Sequence, residues 1–198
     1  MASSEEKAFE IITEICTENF NSSGYKSPME IASEIMKHPQ FPMHDYSHHC
    51  LVPAVLLTAF RKKEEISSEH FNEDLQTIKK RSQSVLPAYC GTHGACGAAV
   101  GAGIFFSVIT KTTPLSKETW SLCNGATAGC LKEMADIGGP RCCKRNSFVA
   151  LKYAAQTVRQ EFGFSLSCPE ETECTFSKYN LECLKEDCPF YKEDSDGK

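Results

Sequence analysis

Residues 90–109 read Cys90-Gly-Thr-His-Gly-Ala-Cys96-Gly-Ala-Ala-Val-Gly-Ala-Gly103-Ile-Phe-Phe-Ser-Val-Ile109. The first fourteen positions hold five glycines, and the others are small except His93 and Val100. The stretch predicts a glycine-rich turn feeding a helix that packs tightly, because small side chains let neighbouring backbones approach. It lacks the period-two alternation of a half-buried strand. Its apolar part, Ala98–Ile109, is shorter than the roughly 20 residues that cross a bilayer, and so is Leu51–Phe60. Gly101-Ala-Gly103 alone is a weak dinucleotide or S-adenosylmethionine signal, and no strand precedes it.

The flanking chain reads as helices. Ala8, Phe9, Ile11, Ile12, Ile15 and Cys16 have helical spacing within 3–21. Ser27-Pro28 opens a second helix to about Lys37. Pro39 and Pro42 break the chain into a loop that carries Met43-His44-Asp45-Tyr46-Ser47-His48-His49. A buried helix is expected over Cys50–Arg61 and a mostly polar one over Ser68–Val85. Ser116 is the expected N-cap of a helix over Lys117–Asp136, ended by Gly138-Gly139-Pro140. Arg141–Asn146 then leads into a last helix, Ser147–Phe162. No internal repeat stands out. The expectation is all-α: a compact multi-helix domain with a cysteine-rich, loop-like, metal-binding C-terminal segment. Residues 1–38 read as a helical extension, 39–190 as the core domain and 191–198 as a disordered tail.

With 41% hydrophobic and 24% charged residues, the 198-residue chain is too apolar for global disorder and long enough for one core. A net charge of -5 gives no footprint for general nucleic-acid binding, although Arg141–Arg145 leaves a specific RNA substrate open. The start, MASSEEKAFE, lacks the basic and apolar regions of a secretory signal, so a cytoplasmic, reducing setting is expected. Twelve cysteines in such a setting point to metal, cluster or thiol chemistry.

Three cysteine groups carry that chemistry. Cys168, Cys174, Cys183 and Cys188 follow C-x5-C-x8-C-x4-C-P, which suits a tetrahedral zinc site or an iron–sulfur cluster and matches neither template closely. Cys90 and Cys96 flank His93 in the glycine turn, where the backbone N–H groups of Gly91, Gly94 and Gly97 can face an anion or a cluster. Cys96 near a helix start has its thiolate stabilised by the oriented amides. Adjacent Cys142 and Cys143 suit two separate jobs better than a mutual disulfide. Arg141, Lys144 and Arg145 around them are expected to lower their pKa and to bind an anionic substrate or cluster. Cys123 and Cys130 share a helix face and read as core, and Cys16 and Cys50 as buried thiols. His44, His48 and His49 form either a metal or proton-relay group or a polar loop, with Asp45 placed to orient one ring.

Several stretches together resemble an uncharacterised, cysteine-rich prokaryotic family of the DUF5714 kind. They are His48-His49-Cys-Leu-Val-Pro53, Cys90-Gly-x-x-Gly-x-Cys96-Gly-Ala-Ala, Gly103-Ile-Phe-x-Ser107, Thr113-Pro-Leu115, Gly138-Gly-Pro-Arg-Cys-Cys-Lys-Arg145 and Asn180-x-x-Cys183-x4-Cys188-Pro-Phe190. The resemblance covers residues 43–190. It implies an anaerobic setting, an occasional fusion to methyltransferase-like domains, and one site built from Cys90, Cys96, Cys142, Cys143, Cys174, Cys183 and Cys188. It hands over no reaction. An anaerobic setting favours iron over zinc. The expectation is therefore a [4Fe-4S]-dependent enzyme removing or transferring sulfur on a small sulfur-containing or anionic substrate. Cys142 or Cys143 would be the nucleophile, Arg141 and Lys144 anion contacts, and His93 or His49 the proton carrier. The alternatives are an electron-transfer or assembly partner of a methyltransferase or redox enzyme, and a zinc-stabilised interaction module.

Overall fold

The structure, a computed structural model, describes residues 4–169 and 171–193. Helices are α1 (Ser4–Asn21), α2 (Pro28–Lys37), α3 (His48–Glu64), α4 (Ser68–Gln83), the single turn α5 (Tyr89–Thr92), α6 (Gly97–Ile109), α7 (Glu118–Ile137) and α8 (Cys143–Phe162). No strand occurs among the described residues, so the chain is all-helical. None of these helices is long and apolar enough to cross a membrane. The expected disorder at the tail falls largely on 194–198, outside the described residues.

The core forms around α3. Leu51, Val52, Ala54, Val55, Leu56 and Leu57 are all fully buried, so this helix is apolar on every side and must be enclosed. Helices α1, α2, α4, α6 and α8 pack around it. Ala8, Phe9, Ile12 and Met29, in the stretch read as an extension, lie in the same core. The glycine stripe of α6 sets how close the helices come. Pro53 lacks the N–H that would bond the His49 carbonyl one turn back. Gly101 fits against that spot, where a Cβ would stand 2.8 Å from both the His49 carbonyl oxygen and Pro53 Cδ. Gly103 does the same against α7, where a Cβ would overlap the Thr127 hydroxyl.

Three boundaries differ from the sequence reading. Helix α3 starts at His48, so two histidines assigned to the loop are helical. Asp45 Oδ1 accepts the Ser47 N–H at 2.6 Å, and this turn runs straight into the helix. Ser116 does not cap α7; its hydroxyl accepts the Thr113 N–H at 3.0 Å inside the preceding loop. Helix α8 starts at Cys143, because the Cys142 sulfur takes the N-cap role and accepts the Arg145 N–H at 3.5 Å. Sulfur is not among the usual capping atoms, which hid this start.

Beyond Gly163 the described residues have only two 3₁₀ turns, Ser177–Tyr179 and Lys185–Asp187. The Cys174 N–H donates to the Phe190 carbonyl at 2.7 Å and closes this segment into a flap. Phe190 packs edge-on against Phe148 of α8, and Tyr25 donates to the Leu166 carbonyl at 2.9 Å.

Candidate functional site: a thiol-lined pocket under the flap

The flap closes over the start of α8, and the two together wall a pocket. Cys142 comes from α8's N-cap; Cys174, Cys183 and Cys188 come from the flap. Met43, Phe176, Leu184 and Phe190 supply apolar walls. The centre is a cavity of about 20 Å³ within about 320 Å³ of space not filled by atoms.

Backbone amides point at these sulfurs. Arg145 N–H donates to Cys142 Sγ at 3.5 Å, Phe176 N–H to Cys174 Sγ at 3.4 Å, and Lys185 N–H to Cys183 Sγ at 3.4 Å. Sulfur in a thiol accepts weakly, whereas a metal-bound thiolate is a far better acceptor. All twelve cysteines are free. Burial pushes the Cys142 and Cys174 thiols above their ordinary pKa, which favours the neutral thiol.

Two cations are buried beside the pocket. Arg145, 4% exposed, donates to the Gly138 and Pro140 carbonyls at 2.9 Å each and to Asn146 Oδ1 at 3.2 Å. Lys144, 1% exposed, donates to the Pro42 carbonyl at 2.9 Å and lies between the rings of Phe41 and Phe176. Burial lowers the Lys144 pKa to about 8 against the raising effect of Cys143, Cys142 and Cys174, so it stays mostly charged near neutrality. Among the described residues no carboxylate pairs with either cation. A buried charge needs an opposite one, and the thiol side chains are the candidates at hand.

Cys143 faces away from this set. Its sulfur accepts the Asp45 N–H, and Arg141, Cys96 and Cys142 lie near it. Burial raises its pKa to about 11, so the expected lowering by the flanking cations does not occur: desolvation outweighs Arg141. Cys96 is the N-cap of α6, and its sulfur accepts from Asn146 Nδ2 at 3.3 Å. His49 stands beneath the same helix start, where a Cβ on Gly97 would overlap its ring. Its Nδ1 bonds the Val85 carbonyl at 3.0 Å and burial lowers its pKa, so Nε2 carries the lone pair.

Other expected site residues fall elsewhere. Cys168 leaves the spacing motif and lines a separate pocket with Lys152 and Arg159. His93 is exposed, stacked on Tyr89 and bonded to the Thr92 hydroxyl at 2.8 Å, with no contact to the thiol pocket. Cys90 lies half-buried in α5, and Gly91 and Gly94 have open space around them. Arg141 is exposed, whereas Lys144 and Arg145 are buried and bonded to carbonyls. One member, Asn180, escaped the reading of the residues as a site. His44, from the histidine group, accepts the Cys143 N–H on Nδ1 at 3.4 Å and bonds Asn180 Oδ1 through Nε2 at 3.1 Å. Asn180 also accepts the Glu182 N–H and shapes the turn before Cys183. The sequence signal was there in Asn180-x-x-Cys183, an Asx turn placed ahead of a cysteine.

Among the described residues no group of three or more His, Cys, Asp or Glu side chains is placed to hold a metal ion. The four thiols line the cavity without forming such a group.

Fold and site together define an all-helical, thiol-rich protein with a pocket covered in part by a cysteine-bearing flap. The chain belongs to a family of unknown function, DUF5714, whose model matches residues 12–191. The match begins inside α1, so the family pattern takes in the N-terminal helices that the resemblance over 43–190 left out. No curated protein and no solved structure matches the chain.

Proposed function

We propose that this is an iron–sulfur protein whose cluster is held by Cys142, Cys174, Cys183 and Cys188, with Cys143 and Cys96 as the working thiols beside it. The observation that carries the reading is four thiols from two distant parts of the chain around one mostly apolar cavity, next to two buried cations that no carboxylate pairs with among the described residues. A zinc tetrathiolate needs sulfurs about 3.8 Å apart, given a Zn–S bond of ≈ 2.3 Å. Thiols spread around a void suit a group with several metal atoms better. An oxidised four-iron cluster on four thiolates keeps two net negative charges, which Lys144 and Arg145 offset. Four protein ligands would leave no open iron, and the chemistry a cluster held this way would supply is one-electron transfer. Cys143 remains outside the set as nucleophile, with His49 as the proton acceptor near Cys96. Removal or transfer of sulfur on a small sulfur-containing or anionic substrate is the chemistry this pairing serves. A second reading, an electron-transfer partner of a methyltransferase or redox enzyme, rests on the same four-thiol ring.

Protein purified without oxygen is expected to contain iron and acid-labile sulfide, about four of each per chain, with broad visible absorbance. Cys142→Ser loses most of the iron, and Cys143→Ser keeps it. Stoichiometric zinc without iron, or equal iron loss in both variants, would sink the assignment.

A further inference from the structure

A second cavity lies on the other side of the Met43–Phe176 wall. It is a cleft of about 460 Å³, within the size range of small-molecule sites. It is bounded by the end of α2, the loop that follows, the start of α8 and the first turn of the flap. Its floor is apolar: Met36, Phe41 and Phe176 are buried there. Its charges are all of one sign. Lys37, Lys144 and Lys178 line it together with His38, and no Asp or Glu does. None of the three lysines forms an ion pair among the described residues. This is notable in a chain with a net charge of -5.

Lys144 decides what the cleft takes. An ammonium group carries three donors. The Pro42 carbonyl uses one, and the Phe41 and Phe176 rings flank it at 4.7 and 5.1 Å. A buried lysine held between two rings, facing a roomy cleft with two further lysines at its rim, is arranged for an anion that brings its own apolar body. The rings of Phe41, Phe176 and Tyr179 give that body a surface to lie on.

We propose that this cleft binds a small anionic molecule with an aromatic or apolar body, its carboxylate or phosphate paired with Lys144, Lys37 and Lys178. Anion binding in the cleft stands on the cleft alone. That the occupant is the substrate of the neighbouring thiol site rests on the function proposed above, since Met43 and Phe176 line both cavities.

The test uses the full chain, prepared without oxygen, with methyl-13C methionine. Met36 lines the cleft and not the thiol pocket, so its methyl signal reports the cleft; Met134, in α7, is the control. Phenyl phosphate and benzoate are the probes and distinguish phosphate from carboxylate; benzyl alcohol is the neutral counterpart. The expected result is a saturable shift of Met36 with at least one anion while Met134 stays still. Benzyl alcohol binds about tenfold more weakly or worse. The exposed-residue double variant Lys37→Gln/Lys178→Gln weakens the anion by about tenfold, and added salt does likewise. An unmoved Met36 up to about ten-millimolar probe overturns the proposal, as do equal affinities for phenyl phosphate and benzyl alcohol or an unaffected double variant. Iron-free protein whose Met36 shifts keeps the cleft and removes the cluster; iron-loaded protein with an unmoved Met36 does the reverse.

Discussion

Cys142 and Cys143 share a peptide bond and face different surroundings. The helix start turns one sulfur to the flap and the other toward Cys96 and Arg141, so neighbours in sequence serve two places. That adjacent cysteines need separate partners was legible from disulfide geometry; which partner each finds was not. Glycines show the same division. Gly101 meets a backbone oxygen and a proline ring, neither of which can move aside. Gly101→Ala is therefore expected to cost about 1–3 kcal/mol by overpacking, read from the urea midpoint. A Cβ on Gly129 would also overlap a neighbour, but that neighbour is the far end of the half-buried Tyr153 ring, which can swing out. The roughly 1 kcal/mol gain in helix propensity then leaves Gly129→Ala near neutral. Equal losses at both sites would show that α6 and α3 are not in the close contact described.

Helices were largely legible because their signals are local. Ser27 accepts the Glu30 N–H at 3.3 Å and the Glu30 carboxylate accepts the Ser27 N–H at 2.8 Å, a capping box within four residues. Ser27→Ala should lower stability by about 1 kcal/mol, whereas Ser116→Ala should cost less than about 0.5 kcal/mol because Ser116 caps no helix. Urea midpoints of the two variants decide this; an equal loss for Ser116→Ala would restore it as a cap. The flap is a different kind of element. It has little helix, and few of its residues are buried apolar ones, Leu166, Phe176 and Phe190 among them. On the proposed function, its order depends on the group its thiols hold. If the proposed cluster is held there, stripping metal with a chelator is expected to speed tryptic cleavage after Lys178 or Lys185 by about tenfold while helix content by circular dichroism stays the same. Unchanged cleavage would mean that the flap stands by packing alone.

At the scale of the whole molecule, buried histidines tie stability to pH. His48 is fully buried; desolvation, with Lys144 second, holds its pKa well below the usual value against a bond to the Asp45 carbonyl, and His44 and His49 add to the lowering. The unfolded chain binds a proton there below about pH 6.5 and the folded chain does not. Stability from His48 is thus full above about pH 6.5 and falls on acidification, by up to about 1.4 kcal/mol per pH unit. Urea unfolding of the metal-free Cys142→Ser variant between about pH 7 and about pH 5.5 measures it, and a flat profile would place a charged or exposed imidazole at that position. The sequence by itself determined the all-helical class, most helix boundaries and the small-residue packing of α6, because periodicity, prolines and caps act over a few residues. Only the tertiary structure decided which of the cysteines meet. Spacing joined Cys168 to Cys174, Cys183 and Cys188, yet the chain turns Cys168 toward Lys152 and Arg159 and folds Cys142 in from α8. It also buried the Cys142 and Cys143 thiols, which reversed the sign expected for their pKa, since desolvation is a property of the surroundings and not of neighbouring residue types.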